Sequence, residues 1–171
     1  INFISTYVTD NTLYIKDENK CSFVRDLDHK AKIYLHQSHI SSVAMYGSGD
    51  VTSIAPLKNN IRLWGSDANG SITLQLDNDS TSVEISSGVT RVKLSGNSSY
   101  GYYYYFGNGN VDATQLATSI ALVNWQSTGD LYIRTDNALY GELTASGNLY
   151  YSGNPALIDV GVTGSGQLIQ Q

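Results

Sequence analysis

Short runs of alternating apolar and polar residues, broken by small polar phrases, dominate this chain. Val43 with Met45, Ile61 with Leu63, Val83 with Ile85 and Val160 with Val162 are each spaced by two, the period of a strand with one buried face. Between the runs a phrase recurs in which Gly is followed by a polar residue and then an aliphatic one. It reads Ser48-Gly49-Asp50-Val51, Asn69-Gly70-Ser71-Ile72, Asn108-Gly109-Asn110-Val111, Thr128-Gly129-Asp130-Leu131, Ser146-Gly147-Asn148-Leu149 and Ser165-Gly166-Gln167-Leu168. The aliphatic positions step by 21, 39, 20, 18 and 19 residues, and Val92 divides the wide step into 20 and 19. Beyond each phrase the alternation resumes, as in Ile72 with Leu74 and Leu131 with Ile133, so strands are expected on both sides. Near Val92 the phrase degenerates. Ser87-Gly88-Val89 sits three residues early, which reads as a local insertion.

A repeat of about twenty residues cannot bury a face alone and must stack on its neighbours. The expected fold is therefore all-β: a right-handed parallel β-helix with coils of 18–21 residues, because the left-handed hexapeptide helix requires multiples of six. Seven coils at a strand spacing of about 4.8 Å make a rod of roughly 34 Å. In this reading Gly49, Gly70, Gly109, Gly129, Gly147 and Gly166 are coil corners, selected because Gly reaches positive φ without a Cβ penalty. The whole chain, 1–171, is read as one solenoid domain, with 41–171 as repeated coils and 1–40 as an irregular N-terminal cap. In the cap, Thr12 to Ile15 and Lys32 to Leu35 read as strands, and Asp10-Asn11 as a turn. A helical alternative, with Leu116, Ile120 and Val123 on one stripe of 112–123, is outranked by the repeat register.

Composition fits a β protein: 171 residues with 16 Gly, 13 Tyr, two Pro and only 15% charged side chains. Net charge is -5, and nine of the ten Lys and Arg lie before Leu94, leaving Arg134 alone beyond it. Nucleic-acid binding needs clustered cations to displace phosphate counterions, so nucleic acid is excluded as a partner. No apolar run reaches the 18 or so residues of a membrane helix. The single cysteine, Cys21, excludes an internal disulfide and reads as an incidental or buried thiol. The chain starts at Ile1 and is read as a mature domain, so its lack of a leader or anchor carries no weight.

Candidate chemistry is sparse. Asp50 and Asp130 share a repeat position with Asn110 and Asn148, so a polar ladder is expected along one edge. Turn geometry alone explains these residue types. Glycoside hydrolysis needs two carboxyls roughly 5 to 10 Å apart, and Asp50 and Asp130 lie four coils apart. His36 and His39, with Asp28 and His29 nearby, lack a zinc-ligand spacing, and residues three apart on a strand face opposite ways. No metal or cofactor is expected. The feature with binding potential is tyrosine. Tyr102, Tyr103, Tyr104 and Tyr105 form a run in which two must point outward, and Tyr132 and Tyr150 each follow a repeat aliphatic. These six form a candidate aromatic strip for sugar or protein; the alternative is a cross-coil ladder that only shields the sheet.

The C-terminal third carries a resemblance. The run ASGNLYYSGNP from Ala145 to Pro155, followed by VGVTGSGQL from Val160 to Leu168, resembles the terminal signature of the GIN domain, a family of bacterial envelope proteins described as auto-transporter adhesin heads. YGSGDV from Tyr46 to Val51 and KIYL from Lys32 to Leu35 occupy the places of the family's first glycine phrase and preceding strand. The resemblance runs from about Thr12 to the C-terminus. It implies a right-handed β-helix without an established catalytic set, exported to the periplasm or the cell surface. The expected function is thus a non-enzymatic adhesion or surface-display module whose partner is a glycan or a surface protein. The alternative is a β-helix of pectin-lyase-like shape that binds or cleaves polysaccharide.

Overall fold

The alternation becomes strands throughout the repeat region. A computed structural model describes residues 4–18 and 32–171, and its chain contacts fall into two units, Ile1–Gln37 and Ser38–Gln171. Cys21, Asp28 and His29, singled out above, lie outside the described residues. There is no helix among the described residues.

In the first unit, β1 (Ile4–Thr9) and β2 (Thr12–Asp17) form an antiparallel hairpin. Its two-residue turn is Asp10-Asn11, with φ of 47° and 58°, the left-handed pair that matches the twist of hairpin strands. The sequence pattern predicted β2 and the turn but not β1. Lys32 to Leu35, expected as a strand, is exposed and irregular: nothing in the described chain pairs with its backbone.

The second unit is a parallel β-solenoid of about six turns. Its strands are β3 (Ser42–Tyr46), β4 (Asp50–Thr52), β5 (Ile61–Ser66), β6 (Ser71–Ile85), β7 (Arg91–Gly107), β8 (Asn110–Ser127), β9 (Leu131–Leu143), β10 (Leu149–Ser152), β11 (Leu157–Val162) and β12 (Leu168–Gln170). Every pairing among them is parallel. The repeat aliphatics stand in one ladder, Val51, Ile72, Val92, Val111, Leu131, Leu149 and Leu168. Val92 therefore belongs to the repeat, and no residue is inserted before it. Thr90 occupies the glycine position of that coil, since Arg91 pairs with Ser71 and Asn110.

Each long strand turns a corner. In β6 the buried positions are Ile72, Leu74 and Leu76, then Thr81, Val83 and Ile85, so the inward parity flips between 76 and 81. Strand side chains alternate faces, and a flip marks an extra residue where the chain bends. Similar flips recur in β7 and β8. Every coil thus has two arms, joined at this corner and at the glycine phrase. The second arm stacks Leu63, Val83, Tyr103, Val123, Gly141 and Val160 in one inward column, and Gly65, Ile85, Tyr105, Trp125, Leu143 and Val162 in the next.

The glycine phrase has a different physical basis from the one expected. Gly70, Gly109, Gly129, Gly147 and Gly166 do not adopt positive φ. Instead, a Cβ on Gly129 would lie 2.1 Å from the Gly109 carbonyl oxygen, one on Gly147 2.0 Å from that of Gly129, and one on Gly166 2.1 Å from that of Gly147. At these three positions the stacked backbones approach too closely for a Cβ, whereas Thr90, in the glycine position of its own coil, turns its hydroxyl to the Ala68 carbonyl at 3.0 Å. Gly49, on the first phrase, is the exception: it adopts the expected positive φ, 148°, and has nothing within 4 Å of its Cβ position.

Tyr103 and Tyr105 point inward and are fully buried. The Tyr105 hydroxyl donates to the Thr90 carbonyl at 2.8 Å, whereas the Tyr103 hydroxyl has no partner among the described residues. A buried hydroxyl without a partner costs about 1–3 kcal/mol. Tyr103→Phe is therefore expected to raise stability by about 1 kcal/mol, measured by urea denaturation; a loss of stability would show that the hydroxyl is paired in solution. Burial also pushes the Tyr105 phenol up to about 12, against about 10 in the unfolded chain. Its neutral form is favoured in the fold, so this contribution is intact below about pH 10 and is lost as pH rises towards 12. Melting temperature is expected to fall over that window, and less steeply in Tyr105→Phe.

Candidate functional site

The six candidate tyrosines do not form one strip. Tyr103 and Tyr105 are core residues, because inward and outward positions alternate along the strand, and they are withdrawn as ligand contacts. Tyr102 and Tyr104 lie half-buried on the outer face of the second arm, where Tyr102 stands in register with Ser82 and Leu122, and Tyr104 with Glu84 and Asn124. Burial raises the Tyr102 phenol, helped by the Glu84 charge. Glu84 is itself held below its ordinary value by hydrogen bonding from Arg62, whose Nε donates to Oε1 at 2.9 Å. On the same face Arg62 sits 5.7 Å from the Trp64 ring, and Trp64 meets Tyr46 edge-on at 5.6 Å.

Tyr132 and Tyr150 belong to the first arm, in the column of Lys93 and Asp112. Their rings stack at 4.6 Å with an interplanar angle of 6°. The coil spacing imposes this contact, and each ring spends one face on the other. Beside them runs the expected polar ladder. The Asp130 Oδ1 accepts from the Asn148 backbone N–H at 2.8 Å, and the Asn148 Oδ1 accepts from the Gln167 backbone N–H at 3.0 Å. Farther along the same edge, the Ser71 hydroxyl donates to Asp50 at 2.5 Å. These carboxyls and amides tie coils together. The Tyr132 phenol is raised by burial and by the nearby Asp130 charge, and a shallow hollow of about 540 Å³ lies against it, lined by residues that include Arg91, Asn110 and Asp130.

A second concavity, of about 530 Å³, follows the bend between the two arms. Successive coils contribute Lys58, then 77–79, 97–99, 117–119 and 136–137. Its floor is saturated with hydrogen bonds. The Asn78 Oδ1 accepts from Ser98 at 2.7 Å and from Thr81 at 3.2 Å, and its amide donates to the Asn59 carbonyl at 3.0 Å. Thr118 donates to the Arg134 carbonyl, and the Asn137 amide to Ser119, both at 2.7 Å. The rim differs. Asp77, Asp79, Asn97 and Ser99 are exposed, and their side chains bond to nothing among the described residues.

No group of three or more His, Cys, Asp or Glu among the described residues is placed to hold a metal ion. His36 and His39 are exposed, and the His39 ring lies 3.3 Å from the Asn59 amide. No helix of the described residues is long and apolar enough to cross a membrane.

The profile described as "Putative auto-transporter adhesin, head GIN domain" matches residues 1–155. The chain belongs to the GIN domain family. Consistent with that, this GIN domain is similar to the crystal structure of a putative adhesin from Bacteroides fragilis, with a TM-score of 0.82 at 22% identity over 99% of this chain and 77% of that one. At such identity the likeness is one of fold. No curated protein matches the chain. Membership of a family of adhesin heads makes the GIN domain an adhesion-like module of an exported, envelope or surface protein.

Sequence reasoning missed the corner concavity of this GIN domain, although a signal was present. Asn78-Asp79, Ser98-Ser99, Thr118-Ser119 and Asp136-Asn137 recur at steps of 20, 20 and 18 residues. They look like ordinary turn residues until the coils are laid side by side. Trp64 was missed as well, because it falls at an outward position of a strand read only for its buried face.

Proposed function

We propose that this GIN domain is a non-enzymatic adhesion or display module that holds a glycan or a surface protein against the outside of its coils, at the periplasmic or outer surface of the cell. One observation carries the reading. On a rigid solenoid whose floor residues Asn78, Ser98 and Thr118 are bonded within the fold, the outward Asp77, Asp79, Asn97 and Ser99 are left with unused hydrogen-bonding capacity in a concavity. A rigid frame lets such groups bind without losing much conformational freedom. The ladder carboxylates support the non-enzymatic side of the reading: Asp50 and Asp130 are four coil steps apart, roughly 19 Å at the strand spacing, beyond the reach of a two-carboxyl mechanism. The stacked Tyr132 and Tyr150 act in this reading as a shield for the sheet. The test is to apply the labelled domain to glycan and surface-protein arrays, with a reducing-end and unsaturated-product assay on the same glycans. Binding without turnover is expected. Product release would overturn the reading in favour of a polysaccharide-cleaving β-helix, and silence on both arrays would overturn it outright.

A further inference from the structure

The geometry points to a more specific ligand for the corner concavity: a neutral or amine-bearing glycan strand lying along the coil axis, with polyuronates and other anionic glycans rejected. The inference rests on the binding-module reading and adds a site and a ligand class to it.

The shape comes first. The concavity is assembled from coil after coil, from Lys58 to Asp136, so it is a trough whose groups repeat at the strand spacing of about 4.8 Å. A ligand that uses it fully is itself a linear polymer. The chemistry of the trough comes second. Apart from the Ala117 methyl, its lining is amide, hydroxyl, carboxylate and one ammonium, without an aromatic ring. Protein interfaces centre on buried aromatic and large apolar anchors, and this trough offers neither. Carboxylate and amide oxygens accept from hydroxyl groups, and the Asn97 amide donates to hydroxyl or ring oxygens; sugars carry those partners at every residue.

Charge then selects among glycans. Asp77, Asp79 and Asp136 face the trough against the single cation Lys58. Asp136 is partly engaged, with Arg134 Nε 3.9 Å from its Oδ1, while Asp77 and Asp79 have no cation paired to them among the described residues. A uronate or sulfated chain would bring like charge onto unpaired carboxylates, and a free amine would bring opposite charge. The floor cannot rearrange to compensate, because Asn78, Ser98 and Thr118 already use their polar groups within the fold.

The experiment applies the full chain to immobilised chito-oligosaccharide, its deacetylated counterpart and oligogalacturonate at two ionic strengths. The first two are expected to bind and the third not, with the deacetylated ligand more sensitive to salt. Asn97→Ala and Asp79→Asn are each expected to weaken binding up to roughly tenfold, the worth of a hydrogen bond, with melting temperature unchanged because both side chains are exposed and unbonded. The double variant Asp77→Lys with Asp79→Lys is expected to lose the deacetylated ligand and gain oligogalacturonate. Preferential binding of oligogalacturonate by the wild type overturns the inference. So does glycan binding that survives all the trough variants but is lost in Tyr132→Ala with Tyr150→Ala; the binding-module reading then stands with another site. Binding to surface proteins alone also overturns the trough assignment and leaves that reading intact, whereas no binding to any glycan or protein removes both.

Discussion

Gly129→Ala is expected to unfold at a melting temperature roughly 10 °C below that of the wild type, corresponding to a loss of about 3 kcal/mol. The added methyl would lie 2.1 Å from the Gly109 carbonyl oxygen and 2.8 Å from its carbon. Both are backbone atoms of the neighbouring coil, and no flexible side chain stands between them to give way. Moving Gly129 aside also disturbs two bonds that meet on it: its carbonyl accepts from Trp125 Nε1 at 2.8 Å, and its amide donates to Ser127 at 3.1 Å. Gly161→Ala is the matched control. The nearest atoms to its Cβ are 4.0 Å away, so its stability is expected to stay within about 0.5 kcal/mol of wild type. Equal melting temperatures for the two variants would refute close coil stacking as the reason for glycine at the repeat position.

Trp125→Ala is expected to cost about 3–5 kcal/mol, read as a lowered urea midpoint. The indole is fully buried, packs at 5.3 Å against Tyr105 on the preceding coil, and ties its own coil to the glycine phrase through Gly129. In a stacked array each coil is stabilised by its two neighbours, so a cavity here weakens both interfaces at once. Trp125→Phe separates the contributions: it keeps most of the packing and loses the hydrogen bond, for about 1–2 kcal/mol. The other tryptophan, Trp64, lies on the outer face and is partly exposed, so Trp64→Ala should cost much less. Should Trp125→Ala and Trp64→Ala prove equally mild, the assignment of inward and outward columns would be wrong.

Period-two alternation and a repeat of about twenty residues contain the coil, because strand side chains alternate by covalent geometry and a strand with a buried face must align apolar positions from coil to coil. Val92 was thus placed correctly in its ladder despite a missing glycine. The role of the repeat glycines was not legible in the same way. Positive φ is a property of one residue and is suggested by residue type, whereas the 2.0–2.1 Å approaches at Gly129, Gly147 and Gly166 are made by carbonyls 18 to 20 residues earlier.

The tyrosines show the same division. Alternation alone required two of Tyr102 to Tyr105 to face inward, but which two depends on the parity flip at the corner, where one extra residue reverses the faces of everything that follows. The linear pattern of residues sets the repeat, the parallel stacking it demands and the ladder of aliphatic residues at its centre. The tertiary structure alone decided that Tyr103 and Tyr105 are core, that Tyr132 and Tyr150 spend their ring faces on each other, and that scattered turn residues line one trough. Burial and concavity arise between coils, and the distances that set them depend on where each coil bends.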